Sequence, residues 1–203
     1  MLTDKTHQQF FNHHAPSWNS ADTRQKVESL QKIFRQINLE MQEMVLDLGC
    51  GTGILVPILL ELLQRQGKII EFDFSLEMLK QNKLLCQPNK QHLLRLNGDA
   101  HHLPFASQRF TFLACFAVLP HLSRPGQAYQ EWFRVLRSGG KLLILHLMSS
   151  QLLNQFHSQA GEEIQCDYLS PAEKVAEQIK TEGFQVLQVQ EREDLYLILA
   201  RKQ

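Results

Sequence analysis

Three glycines separated by single residues, Gly49, Gly51 and Gly53, follow a short apolar run that contains Asp47. The run favours a buried strand, and the apolar pattern of residues 54–63 favours a helix directly after the glycines. Glycine backbone at such a turn can adopt positive φ, and it lets a ligand lie against the main chain. The helix start also presents N–H groups that lack partners within the helix. The segment therefore predicts a site for a nucleotide-like molecule at the end of this strand.

The glycine spacing argues against a dinucleotide. Counted from Gly49, the G-x-G-x-x-G fingerprint requires glycine or alanine at the sixth place, where the chain has Ile54. Residues 47–53 instead resemble motif I of the class I S-adenosylmethionine (SAM) dependent methyltransferases, in the small-molecule branch known as type 11. The resemblance implies that Asp47, Cys50 and the three glycines hold the methionine part of SAM, with S-adenosylhomocysteine (SAH) as the product.

A second acid, Asp73, ends the strand predicted at 67–72 and lies 20 residues after Gly53. Rossmann-type folds place their ribose carboxylate near this distance. The residues that follow resemble the family's D-x-S-x-x-M-L segment, with Ser75 as the predicted helix cap. The resemblance implies that Asp73 binds the ribose hydroxyls, and Phe74 and Met78 are expected to form walls of the cofactor site.

Further segments match the family in its order. Residues 98–105 resemble its G-D-A…L-P-F segment, which implies that Asp99 and Ala100 lie at the adenine. Residues 110–118 are typical of a central buried strand, and Cys115 near its end is expected to reach the methionine end of SAM through its main chain. A buried structural thiol is the alternative for Cys115. Residues 134–141 resemble the family's R-V-L-K-P-G-G turn.

Three positions depart from the family pattern. Glu71 replaces a common glycine, Thr111 replaces the aspartate of "F-D", and Ser138 replaces a proline. Thr111 keeps open an alternative function, a SAM- or SAH-binding regulatory or partner protein without turnover. A second alternative, an NAD-type oxidoreductase, is disfavoured by Ile54 and by the lack of an obvious hydride-site pair.

Strands and helices alternate along the chain, which predicts a doubly wound α/β fold with helices on both faces of a mostly parallel sheet. The predicted strands are 43–48, 67–72, 92–97, 109–115, 140–147, 184–190 and 194–201, and the predicted helices are 3–14, 21–38, 54–65, 75–86, 125–137 and 171–182. The last two strands should form a hairpin. The resemblance implies seven strands with an antiparallel last strand.

We expect one domain over residues 1–203. Residues 1–40 would form an N-terminal helical cap, with Ser20 or Asp22 available to cap the second helix, and residues 148–170 would form an insertion on the substrate side. Ser170 and Pro171 are expected to open helix 171–182, and Gly183 to close it.

Histidines are the candidates for acceptor chemistry. His146 and His121 lie at predicted strand ends and are the catalytic candidates, because an oxygen or nitrogen nucleophile can require a base. The candidates for substrate contact are His157, Asn154, Phe11 and Trp18. The alternatives for the histidines are a hydrogen bond to a main-chain carbonyl for His146, a helix cap for His121 and a solvent-exposed position for His157. The alternative for the aromatic residues is a hydrophobic staple. A zinc or copper site built from these histidines with Cys115 is an alternative, because imidazole and thiolate suit these metals. No H-x-x-x-H pair or nearby acid supports it, so no metal is expected.

Charge and composition limit the partners. Lysine plus arginine number 21, as do aspartate plus glutamate, so no long-range field favours nucleic acid. A small-molecule acceptor is therefore expected, with no membrane span, because the longest apolar stretch is too short. The four cysteines show no C-x-x-C pairing, which predicts free thiols and, with no signal peptide apparent, a cytoplasmic protein. The oligomeric state is left open.

Overall fold

The computed structural model describes residues 4–19, 23–85 and 92–203. The α-helices are α1 (Asp4–His14), α2 (Thr23–Gln36), α3 (Val56–Leu62), α4 (Leu76–Leu85), α5 (Pro125–Val135), α6 (Ser150–Ser158) and α7 (Ala172–Thr181). The strands are β1 (Met44–Leu48), β2 (Lys68–Asp73), β3 (Leu93–Asn97), β4 (Phe110–Phe116), β5 (Leu136–His146), β6 (Phe184–Arg192) and β7 (Leu195–Lys202). Short 3-10 turns lie at Ala15–Ser17 and Leu119–His121.

The strands form one sheet of seven in the order β3-β2-β1-β4-β5-β7-β6. Strands β1 to β5 are parallel, whereas β7 is antiparallel to both β5 and β6. The predicted fold class is confirmed, including the final hairpin. The strand order reverses between β1 and β4, which is the place where open α/β sheets form a ligand crevice.

Alternating side chains of β4 separate the two faces of the core. Leu113 and Cys115 pack with α5 and α7 on one face, whereas Phe112 and Ala114 pack with α2 and α3 on the other. Successive side chains of a strand point to opposite faces, and a strand that is covered on both faces is apolar throughout. This explains the unbroken apolar run of β4 and confirms helices on both faces.

Several predicted boundaries shift. Helix α3 ends at Leu62, because the two residues Gln64 and Arg65 adopt positive φ of 48° and 57°. Helix α5 ends at Val135 rather than 137, since Leu136 already pairs with Phe110 of β4. The chain thus enters β5 four residues earlier than predicted.

The predicted caps have mixed outcomes. Ser75 caps α4, since its Oγ accepts a hydrogen bond from the N–H of Met78 at 3.1 Å. Ser170 was the wrong choice for α7: the carboxylate of Glu191 accepts the Ala172 N–H at 2.7 Å instead. Gly183 closes that helix with a φ of 102°. The predicted caps Ser20 and Asp22, and Cys86, lie outside the described residues.

The described cysteines, Cys50, Cys115 and Cys166, are free thiols. Within the described ranges, no helix has the length and apolar character needed to cross a membrane.

Candidate functional site

A cavity of about 710 Å³ opens at the carboxyl ends of β1, β2, β4 and β5. Most of the predicted site residues line it, namely Phe11, Trp18, Asp47, Gly49, Cys50, Gly51, Asp73, Phe74, Met78, Asp99, Ala100, His121 and His146. We call the wall formed by residues 47–53, 71–78 and 97–100 the glycine side. The histidine side is the wall that contains His121 and His146.

The glycine turn brings main chain directly to the cavity. Gly49 has a φ of 69°, and a Cβ on it would lie 2.2 Å from Cγ2 of Val118, so no other residue fits there. Gly51 has a φ of 53°, and a Cβ on it would meet no atom within 4 Å. The turn therefore presents bare backbone and open space to a ligand.

Asp73 fixes the turn to the end of β2. One carboxylate oxygen accepts the Gly51 N–H and the other accepts the Ser75 N–H, each at 2.8 Å. Burial raises the pKa of Asp73 to about 6, although both hydrogen bonds lower it. Each oxygen keeps a lone pair, so the carboxylate can also accept hydrogen bonds from a ligand in the cavity.

Glu71, the departure from the family glycine, forms a buried carboxyl pair with Asp47. Glu71 accepts a hydrogen bond from Nδ2 of Asn82 at 2.7 Å, and Oδ1 of Asn82 accepts one from Nε of Arg95 at 2.6 Å. Oδ2 of Asp47 and Oε1 of Glu71 find no N–H or hydroxyl donor among the described residues. They can satisfy one another only if the pair holds a proton.

The pKa values of this pair agree with a shared proton. Burial raises the pKa of Glu71 to about 7, and burial together with the charge of Glu71 raises that of Asp47 well above its ordinary value. Burial also raises the pKa of the neighbouring Cys50 thiol. Cys50 is therefore a protonated wall residue and not a nucleophile.

Asp99 is oriented by a residue that sequence reasoning missed. Its Oδ1 accepts the His101 N–H at 2.8 Å and the His101 ring N at 2.6 Å. The Arg124 N–H donates to Nε2 of His101, so the ring proton is on Nδ1 and points at Asp99. Partial burial raises the pKa of Asp99, but the hydrogen bonds from His101 outweigh it, and the pKa lies below its ordinary value.

On the histidine side, His121 belongs to a buried cluster. Its Nδ1–H donates to Asp167 Oδ2 at 2.5 Å, and Nε2–H of His7 donates to Asp167 Oδ1 at 2.7 Å. Burial raises the pKa of Asp167, but the hydrogen bonds from the two histidines have the larger combined effect, so the pKa lies below its ordinary value. Asp167 is therefore a carboxylate and accepts hydrogen bonds from both rings. His157 donates its Nδ1–H to the main-chain carbonyl of Asp167 at 3.1 Å.

His7 and Asp167 were not predicted, because no local pattern marks them. His7 belongs to α1, and Asp167 to the connection after α6, 160 residues along the chain. The available signals were weak: His7 lies one helical turn before Phe11, and Asp167 lies in the long connection 148–170.

His146 lines the cavity and is 3% exposed. Burial lowers its pKa to about 3. The ring is therefore neutral at physiological pH, and its Nε2 has no partner within the part of the chain that the structure describes. A buried ring nitrogen without a partner is suited to a hydrogen bond from a bound molecule.

Helix α1 covers the cavity between the two sides. Gln8 Nε2 donates to the Phe74 carbonyl at 2.6 Å, and the Ser75 hydroxyl donates to Asn12 Oδ1 at 2.7 Å. The ring of Phe11 lies 5.1 Å from that of His121, between the helix and the cavity. Trp18 packs edge-on against Phe11, with ring centroids 5.4 Å apart, and is 44% exposed.

Four predicted site residues do not line the cavity: Gly53, Cys115, Asn154 and His157. The Cys115 side chain lies in the core, where burial raises its pKa, which fits the structural alternative. Asn154 pairs through both amide groups with the main chain of Leu169, at 2.9 and 2.8 Å. Asn154 and His157 thus hold the connection after α6 in place through hydrogen bonds to its main chain. Cofactor and acceptor contacts of these four residues, and of the residues that line the cavity, stay predictions.

Comparisons with known proteins show what the chain resembles. Residues 46–144 match the sequence family described as "Methyltransferase domain". A SAM-dependent methyltransferase from Aquifex aeolicus has a similar structure, with a TM-score of 0.76 at 17% identity over 93% of this chain and 97% of that chain. Residues 46–144 therefore resemble a methyltransferase domain, and the fold is that of the SAM-dependent methyltransferases.

The curated relatives include quinone methyltransferases. A demethylmenaquinone methyltransferase of Lactiplantibacillus plantarum is 38% identical over 57% of this chain and 49% of its own length. A 2-phytyl-1,4-naphtoquinone methyltransferase of Thermosynechococcus vestitus is 31% identical over 63% of this chain and 59% of its own length. The chain thus spans about half the length of these relatives.

Proposed function

We propose that the protein transfers a methyl group from SAM to a small-molecule acceptor that has an apolar, ring-containing body and an ionisable hydroxyl. A reduced naphthoquinone is the acceptor class that we favour. The observation that carries the proposal is a single cavity that joins the glycine turn and its carboxylates to His121. The quinone substrates named for the relatives support the acceptor class.

The glycine side would hold the cofactor. The turn with Asp47, Gly49 and Gly51 would bind the methionine part, Asp73 the ribose, and Asp99 with Ala100 the adenine. Asp73 supports this assignment because its hydrogen bonds to Gly51 and Ser75 fix its position before a ligand arrives. Such preorganisation lowers the entropic cost of binding.

The histidine side would receive the acceptor. Phe11, Leu153 and Phe156 give this wall apolar surface for a ring system, and Trp18 lies at the mouth. Residues 1–40 and 148–170 would act as the cap and the substrate-side insertion, since His7 of α1 and Asp167 bond to each other beside the cavity. Closure over the acceptor would exclude water from the reaction.

His121 would act as the general base. Because its Nδ1–H is bound to the Asp167 carboxylate, its Nε2 carries the lone pair and can take the hydroxyl proton of the acceptor. The electron pair that is freed makes the neighbouring ring carbon nucleophilic. That carbon attacks the methyl group of SAM, the carbon–sulfur bond breaks, and SAH leaves as a neutral thioether. Loss of the ring-carbon proton to solvent restores the aromatic ring.

His146 would orient the acceptor. Its low pKa makes it a weak base, but its partnerless Nε2 can accept a hydrogen bond from an acceptor hydroxyl.

Thr111, which kept the non-catalytic alternative open, bonds to the main chain of Met44 and does not line the cavity. The threonine in place of the family's aspartate therefore does not support the alternative function, a SAM- or SAH-binding protein without turnover.

The test uses SAM with a labelled methyl group and two matched naphthoquinols, one with an unsubstituted ring carbon and one with that carbon already methylated. We expect label in the first compound and none in the second. SAH binding without label in either compound would contradict the acceptor class and leave the cofactor site standing. Absence of both binding and transfer would contradict the whole proposal.

A further inference from the structure

The fold brings to the histidines an acidic side chain that the sequence does not place beside them. Asp167 lies against both His121 and His7, at 2.5 and 2.7 Å. One ligand atom from each of the three residues lies within 4.8 Å of the others. Two imidazoles with one carboxylate form a ligand set that binds zinc-like ions in proteins.

We propose that His7, His121 and Asp167 form a binding site for a divalent transition metal of the zinc class. The inference does not rest on methyl transfer, because it concerns ligand atoms that face one another whatever the cavity holds.

The separations are compatible with a metal after a small adjustment. Metal–ligand bonds of about 2.0–2.2 Å place the ligand atoms of a tetrahedral site roughly 3.3 Å apart. Each of the two N···O separations in the cluster would have to lengthen by less than about 1 Å. His7 and His121 contact different oxygens of Asp167, and the ligand atoms lie within 4.8 Å of one another, so the pair that is farthest apart would have to approach by at most about 1.5 Å. The two histidines lie on separate elements, α1 and the turn after β4, so each side chain can adjust independently.

Residues around the cluster hold its side chains in place, as the outer hydrogen-bond partners of metal ligands do. His157 donates its Nδ1–H to the carbonyl of Asp167 itself, which holds the backbone of the carboxylate ligand. Outer partners of this kind fix ligand orientation in metal sites. Asp167 and His7 are buried, and His121 lines the cavity, so the ion would lie at the cavity wall. Beside it, His146 offers a buried Nε2 without a partner among the described residues.

Metal binding and base catalysis use His121 in different states. A metal takes the lone pair of Nδ1, so the ring proton must move to Nε2, and His121 then cannot act as a base. The metal-loaded form would hold an acceptor hydroxyl or thiol as its anion at the ion instead. The metal site and the proposed function can therefore fail separately, and the test below contains no acceptor.

The experiment titrates metal-stripped protein at neutral pH with Zn²⁺ by calorimetry and with Co²⁺ by visible absorption. We expect about one ion per chain and a Co²⁺ spectrum of low coordination number. Asp167→Asn and His7→Gln each remove one ligand and should weaken binding by at least about 100-fold, since loss of an outer partner alone costs 10–100-fold. The matched control is His13→Gln, an exposed histidine on the same helix, which should bind as the unaltered protein does.

Circular dichroism and SAH binding show whether each variant is folded. A thermal-shift measurement adds a second readout, because an ion that binds only the folded state raises Tm. Zn²⁺ should raise the Tm of the unaltered protein and of His13→Gln, and leave the Tm of both ligand variants unchanged. Lack of stoichiometric binding by the unaltered protein, or equal binding by the ligand variants and the control, would overturn the proposal.

Discussion

Asp73 and Gly51, which meet on the glycine side of the cavity, are 22 residues apart in the chain, whereas His7 and Asp167 behind the histidine side are 160 apart. The glycine side is made of main chain and of carboxylates that main-chain N–H groups fix. The histidine side is made of side chains from α1, the turn after β4, the end of β5 and the connection after α6. Short sequence motifs therefore predict the glycine side, whereas the histidine side is formed by residues that come together only when the chain folds.

The two sides also differ in charge. Asp47, Glu71 and Asp73 on the glycine side are buried carboxyl groups, and burial raises the pKa of each one. On the histidine side, burial lowers the pKa of His146 and His157, so those rings are neutral. A cationic sulfonium is favoured next to carboxylates, and an apolar acceptor next to neutral rings.

The largest effect should come from the histidine side. We expect His121→Gln to lower kcat for methyl transfer by at least about 100-fold, because it removes the general base. SAH affinity should change by less than about twofold, because His121 lies on the histidine side and the cofactor is assigned to the glycine side. A twofold change corresponds to well under 1 kcal/mol of binding free energy. Steady-state kinetics with a naphthoquinol and SAH calorimetry measure the two quantities.

His102→Gln is the matched control, an exposed histidine that does not line the cavity. A kcat for His121→Gln equal to that of this control would remove His121 from the chemistry.

The second prediction concerns Glu71 on the glycine side. Burial raises its pKa to about 7 in the folded state from an ordinary value of 4.5, so the folded protein binds this proton more tightly. Below pH 4.5 the favourable contribution is fully present, and it is lost as pH rises through 7. Glu71→Gln keeps the group neutral, so the variant should be more stable than the unaltered protein at pH 8, by on the order of 3 kcal/mol.

Urea denaturation at pH 4.5 and pH 8 measures this difference in the free energy of unfolding. The two proteins should be similar at the lower pH. A variant that is less stable at pH 8 would show that Glu71 is an ion stabilised by Arg95 and Asn82, and that the pair with Asp47 holds no proton.

The smallest effect is expected at Asn154. Asn154→Ala removes two hydrogen bonds to the main chain of Leu169, which should lower the free energy of unfolding by about 1–2 kcal/mol. Gln155→Ala, at the adjacent exposed residue, is the control. The acceptor KM should be the same in both variants. A KM that rises only in Asn154→Ala would support the substrate contact that the sequence predicted.

Local chemistry explains which features could be predicted. The positive φ of Gly49, the cap by Ser75 and the position of Asp73 depend on residues within one or two elements, and the sequence was sufficient for them. The mostly parallel sheet with helices on both faces also followed from the alternation of strands and helices. Here the pattern and the structure have the same cause, the burial of an apolar sheet on both faces.

Contacts between distant segments explain the misses. Ser170 looked like a cap, but Glu191 of β6 reaches the Ala172 N–H and satisfies it. Leu136 read as helix because its pairing with Phe110 of β4 is invisible along the chain. The carboxylate of Asp167 could not be assigned to His121 for the same reason.

Calorimetry with SAH tests the central claim, that the glycine turn and the Asp73 carboxylate hold an adenosyl cofactor. The account predicts one SAH per chain for the unaltered protein. It also predicts an affinity at least about tenfold lower for Asp73→Asn, which loses a charged acceptor, with Asp194→Asn on the surface unaffected. Folded protein that gives no heat with SAM or SAH would contradict the account, as would an Asp73→Asn variant that binds as tightly as the unaltered protein.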